Sequence, residues 1–87
     1  MKFRIILPEG ASYHMITDSI IIPLSDGLAG VMKGHSPMLA ELADGIIRVK
    51  DSENNNNEVR YRIQNGLIEV LDNNITVLAD TVEVLSK

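Results

Sequence analysis

The stretch from Asn65 to Asp80, NGLIEVLDNNITVLAD, contains two short apolar runs that are separated by a turn signal. In LIEVL and in ITVLA the side chains alternate in character, and a period of two residues is typical of a β-strand with one buried face. The tripeptide Asp-Asn-Asn at 72–74 separates the two runs, and both residue types favour tight turns. The stretch therefore predicts two short strands in succession.

The same alternation occurs at the start of the chain and in its later runs. Phe3, Ile5 and Leu7 share one side of the first predicted strand, opposite Lys2 and Arg4. The apolar residues that alternate in the later runs are Val59, Tyr61 and Ile63, followed by Val82 and Val84. Many short strands separated by turn signals predict an all-β fold, a flattened two-sheet β-sandwich or barrel of about ten short strands.

Two turn signals have specific interpretations. Asn65-Gly66 predicts a two-residue type I′ hairpin turn, because this turn needs positive φ at both positions and these residues accept it at least cost. The run from Asn54 to Asn57 predicts the flexible tip of another hairpin.

The segment SPMLAELADG, residues 36–45, contains helix signals instead. Ser36 suits an N-cap, Pro37 suits the first helical position, and Gly45 follows as a stop. Helix propensity is worth only tenths of a kcal/mol per residue, and tertiary context often overrides it. From these signals alone, Met38 to Leu42 could form either a short helix or a strand.

Composition limits the classes of function. A chain of 87 residues with no cysteine forms one small domain and offers no thiolate metal site. The net charge of −4 and the absence of a basic cluster argue against a nucleic-acid partner. The three aromatic residues offer little to hold a planar cofactor, so we expect none. The most apolar run, Ile20 to Leu24, contains Pro23 and is far shorter than the roughly 20 residues that span a bilayer.

One histidine invites a chemical interpretation. His35 lies in GVMKGHSPML between a glycine and a Ser-Pro pair. A catalytic role would need a partner carboxylate such as Asp44 or Glu41, and a metal site would need more ligands than His14 supplies. The sequence favours a histidine that is held in a turn by a hydrogen bond.

Five motifs occur in order along nearly the whole chain. They are LPEG (7–10), GLAGVMKGHSPML (27–39), DGIIRV (44–49), NGLIEV (65–70) and NITVLAD (74–80). Together they resemble the N-terminal β-sandwich domain of the epsilon subunit of F-type ATP synthases. The segment after the Gly-His-x-Pro motif is extended in that family, so the resemblance implies a strand at Met38 to Leu42.

The resemblance also implies a function. The epsilon subunit is a non-catalytic part of the rotor, or central stalk, that binds the gamma subunit and rests on the ring of membrane c subunits. It thereby couples ion-driven rotation to ATP synthesis. We accordingly expect no catalytic, cofactor or metal-binding residues. We also expect a monomer when the chain is isolated, and a peripheral location on the cytoplasmic face of a bacterial inner membrane, reached only through the complex.

The resemblance assigns contacts position by position. The residues that match gamma-contacting positions are Leu7, His35 and Ala40, with Met38 as an apolar neighbour. The residues that match the c-ring contact are Ser25, Asp26, Gly27 and Leu28. Because Leu28 stands where the family often has a carboxylate, a more apolar contact with the ring is one expectation.

Longer members of the family continue into a helical hairpin, which can inhibit ATP hydrolysis and in some cases binds ATP. Here the last residues, TVEVLSK, still alternate as in a strand. This favours a single domain over residues 1–87, a short form without hairpin-based inhibition or nucleotide binding.

Two other functions remain as alternatives. A stand-alone adaptor domain would bind a partner through a long unpaired strand at a sheet edge. A small hydrolase, the less favoured alternative, would bring His35 within hydrogen-bond reach of Asp44 or Glu41.

Overall fold

The computed structural model describes residues 1–86, whose regular structure consists entirely of β-strands. The strands are β1 Lys2–Ile6, β2 Ser12–Ile16, β3 Ser19–Leu24, β4 Gly27–Met32, β5 Met38–Leu42, β6 Gly45–Asp51, β7 Asn57–Gln64, β8 Gly66–Leu71, β9 Asn74–Leu78 and β10 Thr81–Ser86. The predicted all-β fold of about ten short strands is confirmed. The strand at Met38–Leu42 is confirmed too, so the local helix signals around it are overridden.

The ten strands form two five-stranded sheets. Sheet A has the order β2-β1-β9-β8-β5, and sheet B has the order β10-β7-β6-β3-β4. The pairing of β1 with β9 is parallel, and the other pairings among the described residues are antiparallel. Each sheet therefore has two edge strands, β2 and β5 in sheet A and β10 and β4 in sheet B.

The core lies between the two sheets and contains the inward residue of each alternating pair. Its most buried aliphatic residues are Ile5, Ile20, Ile22, Val31, Ile47, Val49, Ile63, Ile68, Val70, Ile75 and Val77. The ring centroids of Phe3 and Tyr61 are 6.1 Å apart, and those of Tyr13 and Tyr61 are 5.7 Å apart. Because each buried aliphatic side chain contributes about 1.5–3 kcal/mol, the period-two pattern determines which face of each strand turns inward.

The predicted hairpin at Asn65-Gly66 is wrong, because this dipeptide joins β7 of sheet B to β8 of sheet A. Asn65 has a φ of 53°, whereas Gly66 is outside the positive-φ region. The physical reason is that β7 already pairs with β6 on one side and β10 on the other, so β8 cannot pair beside it. The two-residue turn with positive φ at both positions is Asp72-Asn73, with φ values of 49° and 65°, between β8 and β9.

Two hydrogen bonds of Asn65 hold the crossing between the sheets. The backbone N–H of Asn65 donates to Oδ1 of Asp44 at 2.9 Å, and its side-chain Nδ2 donates to Oδ2 of Asp80 at 3.0 Å. Asp44 lies between β5 and β6, and Asp80 lies between β9 and β10. Asn65 thus connects three segments at which the chain passes from one sheet to the other.

Gly66 is the tightest point of this crossing. A Cβ at this position would lie 3.1 Å from Cδ1 of both Ile63 and Leu42, and 3.3 Å from Cβ of Leu42. These distances are shorter than ordinary van der Waals contact, and two of the three involve flexible side-chain ends. A side chain at Gly66 would therefore push apart two residues that belong to different sheets.

We expect Gly66→Ala to lower the free energy of unfolding by about 1–3 kcal/mol, the usual cost of overpacking a core. Chemical denaturation of both proteins measures the difference. Gly30→Ala is the matched control, because a Cβ there meets only the backbone oxygen of Ile20, at 4.0 Å. Equal stability of the Gly66→Ala variant and the wild type would contradict the close packing at the crossing.

The outer face of sheet B is charged. Arg48 on β6 and Glu58 on β7 form an ion pair of 2.9 Å, and Arg62 on β7 and Glu83 on β10 form one of 2.8 Å. The hydrogen bond from Arg48 lowers the pKa of Glu58 below its ordinary value of 4.5, and the charges of Arg48, Arg60 and Lys50 add to this effect. Along β6, β7 and β10 this outer face has the composition of an ordinary solvated sheet surface.

The lowered pKa of Glu58 gives its ion pair a predictable pH dependence. Such a group stabilises the folded chain above its unfolded-state pKa, and this contribution is lost as the pH falls through the lower folded-state value. We expect Glu58→Gln to lower the melting temperature slightly at pH 7, and the difference from wild type to vanish as the pH falls well below 4.5. Thermal unfolding followed by circular dichroism across this pH range measures the difference in melting temperature between the two proteins.

The control for this prediction removes the other partner. Arg48→Gln should raise the pKa of Glu58 towards its ordinary value, and should therefore remove most of the same pH-dependent contribution. If the stability of Arg48→Gln followed pH in the same way as that of the wild type, the ion pair would not be its source.

Candidate functional site

The outer face of sheet A carries large exposed apolar side chains. Leu39 is 76% exposed, and Leu67, Leu71 and Leu78 are each exposed by between 43% and 47%. With the half-buried Ile6 these residues form what we call the leucine face: Ile6, Leu39, Leu67, Leu71 and Leu78. Glu69 lies between Leu67 and Leu71 on the same side of β8, so these apolar side chains surround one carboxylate. Exposed apolar surface of this kind on small proteins often marks sites of protein–protein contact.

The sheet register places part of the leucine face in one row. Ile6 of β1 lies beside Leu78 of β9, and Leu78 lies beside Leu67 of β8. Leu39 of β5 is next to Glu69 of β8 in the neighbouring row. Three central strands and one edge strand therefore present apolar side chains on the same outward side.

An open groove of about 370 Å³ lies at one end of this face. Its apolar lining includes Ile6, Leu7, Pro8, Leu67 and Leu78, and Asn65 and Asp80 are its polar members. An adjoining hollow is lined by Glu41, Leu42, Asp44, Asn65, Gly66 and Leu67. The apolar groove is thus bordered by carboxylates, which would favour a partner with basic groups around an apolar contact.

The structure does not bring the four predicted gamma-contact residues together in one patch. Leu7 follows β1 and lines the groove beside Asn65, with only 9% of its surface exposed. His35 lies between β4 and β5, near the start of β5, whereas Asn65 is next to the residue that pairs with the end of β5. Leu7 and His35 therefore lie at opposite ends of sheet A.

Met38 and Ala40 lie on the inner side of β5. Both are half-buried and pack against the core. The outward residues of this edge strand are Leu39 and Glu41, both exposed. A partner could therefore reach Met38 and Ala40 only past the free edge of β5, and not from the outer face of sheet A.

The four residues predicted to contact the c-ring form a projecting turn. Ser25, Asp26, Gly27 and Leu28 are all exposed. Ser25 and Asp26 connect β3 to β4, and Gly27, which pairs with Leu24, and Leu28 begin β4. Gly27 has a φ of 131°, which favours glycine at this point of the turn. Leu28 is 71% exposed, an unusual position for a leucine.

His35 is held locally, as the sequence indicates. Its Nδ1 lies 2.6 Å from the carbonyl oxygen of Ser36, and its backbone N–H donates to the carbonyl oxygen of Met32 at 2.9 Å. Asp44 accepts from the backbone N–H of Asn65 at the other end of sheet A. The hydrolase alternative needs His35 within hydrogen-bond reach of Asp44 or Glu41, and among residues 1–86 His35 hydrogen-bonds to neither carboxylate.

Other site classes find little support in residues 1–86. No three His, Cys, Asp or Glu side chains there are grouped so as to hold a metal ion. The same residues include no helix that could cross a membrane. The longest strand, β7, is paired on both sides, and the edge strands of this range, β2, β5, β4 and β10, have five or six residues each.

The leucine face is the feature that the sequence interpretation missed. A signal for it was present, since LIEVL and ITVLA have apolar residues in both phases of the alternation. Ile68 and Val77 occupy the inward phase, and Leu67 and Leu78 occupy the outward phase. A strand that is apolar in both phases indicates that both of its faces are covered in the working state.

Comparison with known proteins identifies the family. The family model described as "ATP synthase, Delta/Epsilon chain, beta-sandwich domain" matches residues 1–84. The ATP synthase epsilon chain of Symbiobacterium thermophilum is 36% identical over 85 residues, 97% of this chain and 59% of the relative. The chloroplastic epsilon chain of Cyanidioschyzon merolae is 34% identical over 80 residues, 92% of this chain and 59% of the relative. The chain thus spans about three fifths of the length of these relatives.

Solved structures match the fold. A chain in the structure of the Euglena gracilis mitochondrial ATP synthase, OSCP/F1/c-ring in rotational state 1, has a TM-score of 0.81 and 21% identity, covering 94% of this chain and 51% of that one. A chain of the Tetrahymena thermophila mitochondrial ATP synthase central stalk and c-ring has a TM-score of 0.76 and 16% identity, covering 95% and 65%. At these identities the matches establish the β-sandwich architecture. With the family model matching residues 1–84, the chain belongs to the delta/epsilon β-sandwich family of ATP synthase subunits.

Proposed function

We propose that these 87 residues act as a non-catalytic coupling part of the central stalk of a rotary ATP synthase. In this role the β-sandwich binds the gamma subunit and contacts the c-ring, so that the two turn together. Ion-driven rotation of the ring then becomes torque on gamma. The working location is the membrane periphery, on the cytoplasmic side in a bacterium, reached through the complex.

The observation that carries this proposal is the leucine face. A non-catalytic coupling part needs broad, stiff contact surfaces rather than reactive groups, and the hydrogen-bonded ladders of two sheets provide stiffness. We assign the leucine face, with the groove that contains Leu7, to the contact with gamma. His35, Met38 and Ala40, which the family resemblance assigns to the same subunit, border it at the other end and on the open side of β5.

The size of the leucine face indicates how much binding free energy it can contribute to the contact with gamma. Burying the exposed halves of its leucines would contribute roughly 1 kcal/mol each, or about 4–5 kcal/mol in all. Association costs an estimated 4–15 kcal/mol in lost freedom. The leucine face alone therefore does not suffice, and the carboxylate-bordered groove must add to it by pairing with basic groups of gamma.

The turn from Ser25 to Leu28 is assigned to the c-ring contact. It projects from sheet B, whereas the leucine face lies on sheet A, so one sandwich can contact two partners at once. Leu28 takes the place of the carboxylate that is common in the family, and its 71% exposure allows an apolar contact with a ring loop.

A charged residue on the leucine face should weaken gamma binding. We expect Leu67→Glu to lower the affinity for purified gamma by at least about tenfold, because docking would desolvate an unpaired carboxylate. Biolayer interferometry measures the affinity, and circular dichroism checks that the variant is folded. Thr81→Glu is the matched control, since it adds the same charge to the outer face of sheet B. Equal affinities for Leu67→Glu and Thr81→Glu would remove the leucine face from the contact.

The ring contact has a separate readout. We expect Leu28→Ser to reduce ATP-driven ion pumping in membrane vesicles while gamma binding stays unchanged, because a weaker ring contact allows slippage. Met32→Ser is the control, because Met32 is 64% exposed on the same strand but lies beyond the turn. Wild-type pumping in the Leu28→Ser complex, or an equal loss in the Met32→Ser complex, would contradict the assignment.

A further inference from the structure

Ionisable side chains on the outer face of sheet A are divided between its two halves. The basic residues lie on β1 and β2, and they are Lys2, Arg4 and His14. The acidic residues are Glu69 on β8 and Glu41 on β5. The central strand, β9, contains no ionisable residue. The outer face of sheet A therefore has a basic half and an acidic half on opposite sides of β9.

The two charges nearest to β9 are not paired with each other. Nε of Arg4 donates to Oγ1 of Thr76 at 3.1 Å, which directs the guanidinium group towards β9. Glu69 forms no ion pair and no side-chain hydrogen bond with any of residues 1–86. Because β9 lies between β1 and β8, the backbones of Arg4 and Glu69 are about 9–10 Å apart. Both side chains thus remain available to a partner.

The order of the strands makes this face complementary to itself. Two sheets that pack face to face lie about 10 Å apart, with strand directions within about 30° of each other. A two-fold axis along β9, midway between two copies packed in this way, exchanges the strands on its two sides. β1 of one copy then faces β8 of the other, and β2 faces β5. The basic half of each copy therefore covers the acidic half of the other.

The ion pairs of such a dimer follow from one row of the sheet. Arg4 and Glu69 are both register neighbours of Thr76. The axis therefore places Arg4 of one copy opposite Glu69 of the other, and this contact occurs twice. Because β1 and β8 are each only one strand away from the axis, a crossing angle of 30° displaces such pairs by only about 2–4 Å. Arginine and glutamate side chains can span this displacement.

The apolar residues follow the same symmetry. Ile6 and Leu67 are both register neighbours of Leu78, so Ile6 of one copy faces Leu67 of the other. Leu78 lies on the axis and faces its own counterpart. No two outward charges of like sign on these strands face each other in this arrangement. The central part of the leucine face is thus covered by its own copy, with the ion pairs beside it.

We propose that two copies of the free chain pack the outer faces of their sheets A together about an axis along β9. Five strands of about five residues each give a flat face of roughly 400 Å², about half of what one partner contributes to a standard interface. The pairing is therefore weak, and we expect a dissociation constant of roughly 0.1–1 mM. The monomer that the family resemblance implies is the main species below this concentration.

The dimer covers the leucine face, which the proposed rotor function assigns to gamma. The two contacts exclude each other, so gamma displaces the second copy when the subunit is assembled. The pairing itself does not depend on the rotor function, because it follows from the register and the charges of sheet A alone. Its test therefore needs no other subunit.

Sedimentation equilibrium of the isolated 87-residue chain measures the pairing. From about 10 µM to about 1 mM, the average mass should rise from one chain towards two. Over the same range, NMR shifts should change at Leu67, Glu69 and Leu78, whereas the amides of β7 in sheet B should stay unchanged. A single-chain mass throughout, or shift changes confined to sheet B, would overturn the proposal.

Single charge reversals locate the contact. Arg4→Glu and Glu69→Arg each put like charges opposite each other twice, so each should raise the dissociation constant at least about tenfold. Asp26→Arg is the matched control for Glu69→Arg, because it changes the net charge equally in the turn between β3 and β4. The control should leave the dimer intact. Circular dichroism checks that each variant is folded.

An equimolar mixture of the Arg4→Glu and Glu69→Arg chains tests the register itself. A mixed dimer has two complementary pairs, although neither variant is complementary to itself. The mixture should therefore associate with about the wild-type affinity, and so should the double variant. General attraction between the chains does not explain such a rescue, because both variants keep a net negative charge. A mixture that stays monomeric, or single reversals that leave association unchanged, would show that these faces do not pair.

Discussion

The close contact of Gly66 with Leu42 and Ile63 is the constraint on which the rest of the structure depends. At this point the chain leaves β7 in sheet B and enters β8 in sheet A, and a Cβ at Gly66 would lie only 3.1 Å from both Leu42 and Ile63. Asn65 secures the crossing by donating to Asp44 and Asp80. If β8 instead turned back as a hairpin beside β7, it would displace β6 or β10, and the two inner faces would not meet.

The crossing also decides which surfaces are left for partners. Once β8 lies between β9 and β5, Ile68 and Val70 turn into the core and Leu67 and Leu71 turn outward. Sheet B has the opposite character, because the outward residues of β6 and β7 are largely charged and form ion pairs across the sheet. The outer face of sheet B is therefore typical of solvated sheets along β6 and β7, whereas the outer face of sheet A carries the leucine face. We interpret this difference as the basis of the rotor function proposed above.

Much of the fold could be predicted from the sequence, because a strand with one buried face has a period of two that is visible without a structure. Phe3, Ile5 and Ile63 were predicted to turn inward and are buried. Which strands pair with each other was harder to predict from the sequence. The Asn-Gly signal at 65–66 is local and does not specify whether the flanking strands are neighbours, whereas Asp72-Asn73 forms the tight turn.

The candidate surfaces were predictable only in part, because the sequence does not show which strands are neighbours. The turn at Ser25 to Leu28 is continuous in sequence, and the structure places all four residues at an exposed tip. The leucine face combines β1, β5, β8 and β9, so its members become neighbours only when the sheet order is known. The place of Leu7 was not visible in the sequence either, since its side chain is largely buried and lines a groove that β1, β8 and β9 form together.

The most direct test of the account is the accessibility of single cysteines in the assembled enzyme. The chain has no native cysteine, so Leu71→Cys on the leucine face and Gln64→Cys on the outer face of sheet B each introduce one unique thiol. The rate of alkylation is measured for the free chain and for the chain in the purified ATP synthase. We expect strong protection at residue 71 and little change at residue 64. Equal reactivity at residue 71 in both states would contradict the assignment of the leucine face to the rotor contact.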